Sequence, residues 1–303
     1  MPFLLCLLLL PGLVCGVQSV KAGTSDVGYR IALIDRFYPP PQGFASDEDK
    51  INHGWLYGMV DLDADQQREP FYHGDLVQMI AAHPKLLFLR FPIRDGQPPM
   101  AEILSNLRQI RINQARRPID ALLLCWESSS LISAFERPLR LEHASHYRAL
   151  VRDWGLSDPV WHTTYQIILQ LQALARDGVR VFTIAGNGGR GMVNTFSFAD
   201  GVTTVGASEP ELSHFIASNA FVNRRAPAAY QFRRLDDGAG NPLGYDLNGD
   251  GCTDIPLQRL SGYGVAGQQY PKNYWQALIG SSFAAPAALK AELAGENQQC
   301  LPQ

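Results

Sequence analysis

The apolar positions fall into short runs separated by polar stretches with helical spacing. Tyr29–Ile34 (YRIALI) is continuously apolar apart from Arg30 and ends at Asp35, which predicts a buried strand. Leu86–Phe91 (LLFLRF) predicts a second buried strand, stopped by Pro92. Met100–Arg116 carries Ile103, Leu104, Leu107 and Ile110 at helical intervals. Ile119–Trp126 predicts a third strand, Val179–Ala185 a fourth and Val202–Val205 a fifth. Between the third and fourth, Ser157 or Asp158 can cap a helix with Pro159 just inside and Gly178 just beyond; Ile167, Ile168, Leu171 and Leu174 share one side of it. A last helix is predicted over Ser282–Ala294. Strands that are apolar on both faces, with helices between them, predict an α/β domain with a parallel sheet. Functional groups of such sheets gather past the carboxyl ends of the strands, where Asp35 and Asn187 lie.

The chain has 303 residues, 46% hydrophobic and 18% charged, with a formal net charge of −3. That length allows one large domain or two small ones and a sizeable core. The near-neutral balance argues against a nucleic-acid partner, which calls for a basic stripe. The pairs Arg116–Arg117 and Arg224–Arg225 read as solvated loop charges.

Phe3–Val14 is apolar but broken by Pro11 and Gly12. It is short for a hydrocarbon core of roughly 30 Å, so no stable membrane span is expected. The stretch reads as a secretory leader over residues 1–22, with Val17-Gln18-Ser19 or Val20-Lys21-Ala22 as the cleavage site, although no basic residue precedes it. A secreted or periplasmic location follows. Removing the leader removes Cys6 and Cys15 and leaves Cys125, Cys252 and Cys300, an odd number that permits one disulfide. Cys125 reads as a buried small hydrophobe, and Cys252–Cys300 is the candidate bridge. No CxxC spacing exists, which argues against a cysteine zinc site.

Four segments carry chemistry: Ala32-Leu33-Ile34-Asp35, His73-Gly74-Asp75-Leu76-Val77, Ile184-Ala185-Gly186-Asn187-Gly188-Gly189, and Gly280-Ser281-Ser282-Phe283-Ala284-Ala285-Pro286. Asp, His and Ser occur in that order along the chain, and with these motifs the sequence resembles the subtilisin-like serine peptidases over roughly residues 28–296. The resemblance implies a three-layer α/β fold with a mainly parallel central sheet flanked by helices, formed by residues 23–303 with an insertion at about 222–261. It implies a serine endopeptidase working through an acyl-enzyme. Ser282, third in the Gly-Ser-Ser motif, is the expected nucleophile, His73 the base, Asp35 its orienting carboxylate and Asn187 the oxyanion donor. Pro286 is expected near the first helical turn. His53, also followed by glycine, is a rival to His73; Val77, Ile80 and Ala81 favour His73 because they continue an apolar helix face.

The substrate-binding strand of the resemblance falls on Cys125, Trp126 and Glu127, with Gly186 opposite. Trp126 and Glu127 are bulkier and more acidic than the family pattern, and either narrow the groove or favour a basic substrate side chain. Arg36 and Phe37 after Asp35, Asp75 after the His73-Gly74 pair, and Phe283 after Ser282 also depart from that pattern. These departures motivate an alternative: a catalytically impaired fold that serves as a peptide-binding or interaction module. An α/β-hydrolase esterase is disfavoured because no Gly-x-Ser-x-Gly elbow exists. The expected partner is a polypeptide substrate.

Finally, Asp246, Asn248 and Asp250 at alternate positions, Gly251 at the sixth and Asp254 form a run that fits the start of a calcium loop, without its terminal glutamate, which is Leu257 here. The same residues also fit an Asx-rich turn. Calcium, if bound, is structural; the chemistry itself requires no cofactor.

Overall fold

The computed structural model describes residues 28–39, 43, 46, 71–94, 96–257 and 278–295. The leader, His53 and Cys300 lie outside these residues. Strands are β1 (Tyr29–Asp35), β2 (Leu86–Pro92), β3 (Ala121–Leu124), β4 (Ser129–Leu131), β5 (Arg180–Ile184), β6 (Met192–Asn194), β7 (Val202–Ala207) and β8 (Arg224–Ala226). They are followed by the short β9 (Ala229–Tyr230), β10 (Arg233–Asp236), β11 (Pro242–Asp246), β12 (Ile255–Pro256) and β13 (Leu278–Ile279). The α-helices are α1 (His73–Ile80), α2 (Pro99–Asn113), α3 (Ala144–Trp154), α4 (Pro159–Arg176) and α5 (Ser281–Leu293).

The main sheet has the order β2-β1-β3-β5-β7-β8, and every pairing in it is parallel. Alternate side chains of β1 feed two cores. Ile31 and Leu33 pack with α1 and α5 through Val77, Ile80, Ala284 and Leu289. Ala32 and Ile34 pack with α2, α3 and α4 through Ile103, Leu107, Val151, Ile167 and Leu171. The protein is therefore a mixed α/β structure, a mainly parallel sheet between two helical layers. The small sheets β10-β11-β12, β9-β13 and β4-β6 surround it.

Local sequence explains the elements. The Asp158 side chain accepts the Val160 N–H at 2.7 Å, and Pro159 occupies the first helical position of α4. Gly178 follows α4 with φ +87°, a conformation that favours glycine. Several boundaries differ from expectation. Among the described residues β2 is an edge strand, and its Leu87 is 57% exposed rather than buried. β3 stops at Leu124, because the Trp126 carbonyl and Ser128 N–H are taken by the side chain of Asn194. Arg224 and Arg225, expected as loop charges, form part of β8, a polar edge strand. Pro286 is the sixth residue of α5, so its missing N–H falls in the second turn and removes the bond to the Ser282 carbonyl.

Candidate functional site

β1 ends on Asp35, and the start of α1 sits directly against that end. The Gly74 N–H donates to the Arg36 carbonyl at 2.9 Å. A Cβ on Gly74 would lie 2.6 Å from that carbonyl oxygen and 2.7 Å from the Cβ of Asp35. Glycine at 74 is thus what lets His73 reach Asp35. His73 Nδ1 lies 2.8 Å from Asp35 Oδ2 and 3.0 Å from Oδ1. Asp35 is buried, 1% exposed, and its Oδ1 also accepts the Arg36 N–H at 2.7 Å. Burial of the ring works against an imidazolium, but the charge and hydrogen bond of Asp35 outweigh it, against a smaller opposing effect of Arg36. The result is a His73 pKa above the ordinary value.

Asp75, a departure from the family pattern, accepts the backbone N–H groups of Tyr38 and Tyr72 at 2.9 Å each on Oδ2. Arg90 Nη1 lies 3.0 Å from its Oδ1. It ties the start of α1 to the segment after β1 and fixes the height of His73 over the sheet.

Asn187 follows β5 on a turn whose Gly186 has φ +99°. Its Oδ1 accepts two hydrogen bonds, from the Ser281 N–H at 2.9 Å and the Ser281 hydroxyl at 3.0 Å. With the oxygen so occupied, the Nδ2 amide remains as the donor end. Ser281 is fully buried and its hydroxyl also accepts the Gly186 N–H, at 3.3 Å. Ser281 is therefore committed to holding the Asn187 turn. Ser282 is 6% exposed, and among the described residues its hydroxyl makes no hydrogen bond, including none to His73. The second position of a helix has no intrahelical acceptor for its N–H, so the Ser282 N–H is also available. Phe283, the next residue, meets the His73 ring with centroids 5.7 Å apart. Contacts thus run from Asp35 to His73, from His73 to Phe283 at the start of α5, and from Ser281 of the same helix to Asn187.

The segment after β3 forms one wall. Cys125 is a free thiol, 4% exposed, with its pKa pushed up by burial and, less, by the charge of Asp35. Its side chain belongs to the core, so only its backbone can meet a ligand. Trp126 is half-buried beneath the Arg36 guanidinium, 5.3 Å from its ring centroid. Glu127 Oε2 accepts the Asn187 N–H at 2.8 Å and the Ser129 hydroxyl at 3.2 Å.

Asn194, fully buried, was not nominated from the sequence. Its Oδ1 accepts the N–H groups of Ser128 and Phe196, and its Nδ2 donates to the carbonyls of Ile184 and Trp126. It ties the segment after β3 to the end of β5. Nothing in Met192-Val193-Asn194-Thr195 distinguishes it from a turn asparagine.

Away from the cleft, carboxylate oxygens of Asp246, Asp250 and Asp254 lie within 4.8 Å of one another. Burial first, and then the charges of Asp250 and Asp246, push the Asp254 pKa up to about 7, against the N–H groups of Leu247 and Asn248. Asp246 accepts the Gly249 and Gly251 N–H groups, and Asn248 donates to the Met79 carbonyl at the end of α1. Lys290 of α5 lies 3.7 Å from Asp250. The loop therefore rests on both helices that carry cleft residues. Cys252 within it is disulfide-bonded.

No family model matches the chain, and no curated protein matches it. Among solved structures, the prenylagaramide maturation protease PagA is similar at 13% identity, with 89% of this chain and 78% of that chain covered and a TM-score of 0.43. The epidermin leader peptide processing serine protease EpiP from Staphylococcus aureus is similar at 12% identity, covering 88% and 64%, with a TM-score of 0.45. The PatG macrocyclase in complex with peptide is similar at 11% identity, covering 89% and 78%, with a TM-score of 0.43.

Proposed function

We propose that the chain is a subtilisin-like serine endopeptidase. The observation that carries this reading is the buried Asp35 carboxylate on His73 Nδ1, in one cleft with an asparagine amide whose oxygen is tied to the residue before Ser282. In this reading the Ser282 hydroxyl attacks the substrate carbonyl and passes its proton to His73 Nε2. Asp35 stabilises the imidazolium through Nδ1. The oxyanion accepts from Asn187 Nδ2 and the Ser282 N–H, aided by the positive end of α5. His73 then protonates the leaving amine, and water releases the acyl group by the reverse path.

Trp126, Glu127 and Gly186, with the Cys125 backbone, line the substrate groove in this reading, and the partner is a polypeptide. Among the described residues no helix is long and apolar enough to cross a membrane. The leader assigned to residues 1–22 supports export. Asp246, Asn248, Asp250 and Asp254 supply the oxygen donors a structural calcium ion takes; the chemistry does not need it.

A second reading, a peptide-binding module with impaired catalysis, is favoured by one observation: the Ser282 hydroxyl and His73 share no hydrogen bond. Such bonds are often long before substrate arrives. A fluorophosphonate probe separates the two. Labelling that disappears in Ser282→Ala supports the peptidase; absence of labelling in the unaltered chain supports the module.

A further inference from the structure

Beside the Asn187 turn lies a half-open cleft of about 370 Å³ that the chemistry above does not use. Arg190 and Arg225 both line it, with Ser208, Ser213, Ser218 and Glu209. Arg190 Nη2 donates to the Ser213 hydroxyl at 2.7 Å. Arg225 donates from Nη1 to the Ala207 carbonyl at 3.0 Å and from Nη2 to the Ser218 hydroxyl at 2.8 Å. These acceptors are neutral, and among the described residues neither guanidinium has a carboxylate partner. Glu209, the acid of the cleft, is already occupied by the Ala228 and Ala229 N–H groups and the Ser208 hydroxyl. Two guanidinium charges against one carboxylate thus leave the cavity net positive, with N–H groups to spare, an arrangement that favours a planar anion.

The cleft is joined to the candidate site through backbone. The Gly189 N–H donates to the Phe215 carbonyl at 2.8 Å, and the Ala217 N–H to the Gly186 carbonyl at 2.9 Å. A Cβ on Gly189 would lie 2.4 Å from the His214 carbonyl oxygen, so the turn and the 212–218 segment are pressed together. Arg190 is three residues from Asn187, which places its Cα within about 11 Å of that of Asn187. A peptide held at Asn187 needs only a few residues to reach it.

We propose that this cleft is a carboxylate subsite for the polypeptide substrate, with Arg190 and Arg225 as its ligands. The proposal rests on the peptidase reading for its purpose, but its test is a binding measurement. Full-length Ser282→Ala protein is titrated with fluorescent nonapeptide amides in which Asp or Asn is placed at each position in turn. A further pair compares a free carboxyl terminus with an amide and tells a side chain from a chain end. The expected result is one placement at which the carboxylate binds about tenfold tighter. That preference fades at about 1 M salt, where the screening length is about 3 Å. It is lost in Arg190→Gln/Arg225→Gln. Arg190→Gln alone, at an exposed side chain bonded to one serine, weakens it without the fold being at stake. Equal binding of acid and amide at every placement overturns the subsite, as does a preference that survives both variants. Fluorophosphonate labelling of the unaltered chain is scored separately: acid-selective binding without labelling supports the subsite and removes the peptidase reading.

Discussion

The backbone N–H of Asn187 donates to Glu127 Oε2 at 2.8 Å, across 60 positions of sequence. One carboxylate thereby joins the two walls of the cleft, and Gly186 makes room for it: a Cβ there would lie 2.6 Å from the same oxygen. In the peptidase reading Glu127 is a positioning residue for the Asn187 turn, with its charge beside the proposed substrate groove. Glu127→Ala should lower kcat by about tenfold or more, the worth of a hydrogen bond to a charged group, with a smaller change in KM. Glu127→Gln retains an acceptor but not the charge. It should keep most of the turnover on apolar peptides and reduce turnover of basic ones. A basic-to-apolar ratio unchanged in Glu127→Gln removes the charge-selectivity part of the assignment.

The Asp35–His73 pair sets the pH dependence. The His73 pKa is raised, so the neutral ring that would serve as base comes to predominate at a higher pH than in an ordinary imidazole. Activity should therefore rise with pH through an apparent pKa above 6.5. For folding the sign is opposite: the stabilisation from this pair is complete below the unfolded-state pKa and is lost as pH rises through the folded one. Asp35→Asn removes the charge and the tautomer control together. It should cost about 10⁴-fold in kcat and move the acidic limb of the profile to lower pH. An unshifted limb in that variant excludes His73 as the titrating base.

Asn187 has its oxygen filled by Ser281, which leaves the amide hydrogens as the donor end that the peptidase reading assigns to the oxyanion. Asn187→Ala should lower kcat by about 10²–10³-fold with KM little changed, as expected for a donor used in the transition state. Ser281→Ala should give a weaker version of the same phenotype, because it removes the hydroxyl bond to the Asn187 oxygen and leaves only the backbone one. Steady-state kinetics on one peptide substrate separates these outcomes from a general loss of fold.

How much of this could be read from sequence follows from what each residue's neighbours are. β1, β3 and β5 are legible because both faces of each are covered along most of its length, so their central positions are nearly all apolar whichever way they point. β8 is not, since Arg224 and Arg225 are exposed on a short edge strand and look like loop charges. The motifs nominate Asp35, His73, Asn187 and Ser282, but not their mutual placement, which depends on strand order. The division of labour between Ser281 and Ser282 is likewise invisible in Gly280-Ser281-Ser282 and appears only with burial and bonding. Asn194 is the clearest illegible case, because two of its four partners, Trp126 and Ser128, lie more than 60 positions away in sequence. Asn194→Ala leaves those buried groups unpaired and should cost about 1–3 kcal/mol for each one that water cannot reach. Thermal denaturation checks that loss.

Gly74 is a packing requirement of the candidate site. Gly74→Ala puts a methyl against backbone and the Asp35 side chain at 2.6–2.7 Å. Backbone cannot swing aside as a flexible side chain can, so α1 must lift from the end of β1. The expected cost is about 1–3 kcal/mol, with His73 displaced from Asp35. The variant should melt earlier and lose its raised His73 pKa by NMR titration. A variant that melts early yet keeps that pKa would separate helix packing from the histidine–aspartate geometry.

The 246–254 loop gives the last prediction. Its three carboxylates lie within 4.8 Å of one another, and like charges so close repel unless a proton or cation intervenes. Asp246 and Asp254 use backbone N–H groups to offset part of that repulsion, and Lys290 approaches Asp250 from α5. A divalent cation of calcium's size accepts oxygen donors in flexible geometry and would offset the rest. Calcium should raise the melting temperature in proportion to RT ln(1 + [L]/Kd), and chelation should lower it. Asp246→Asn should abolish the response. Because Asn248 binds the end of α1 and Lys290 belongs to α5, the same titration should steady the cleft and extend activity at elevated temperature. A melting temperature indifferent to calcium assigns the loop to an Asx-rich turn held by its own backbone donors.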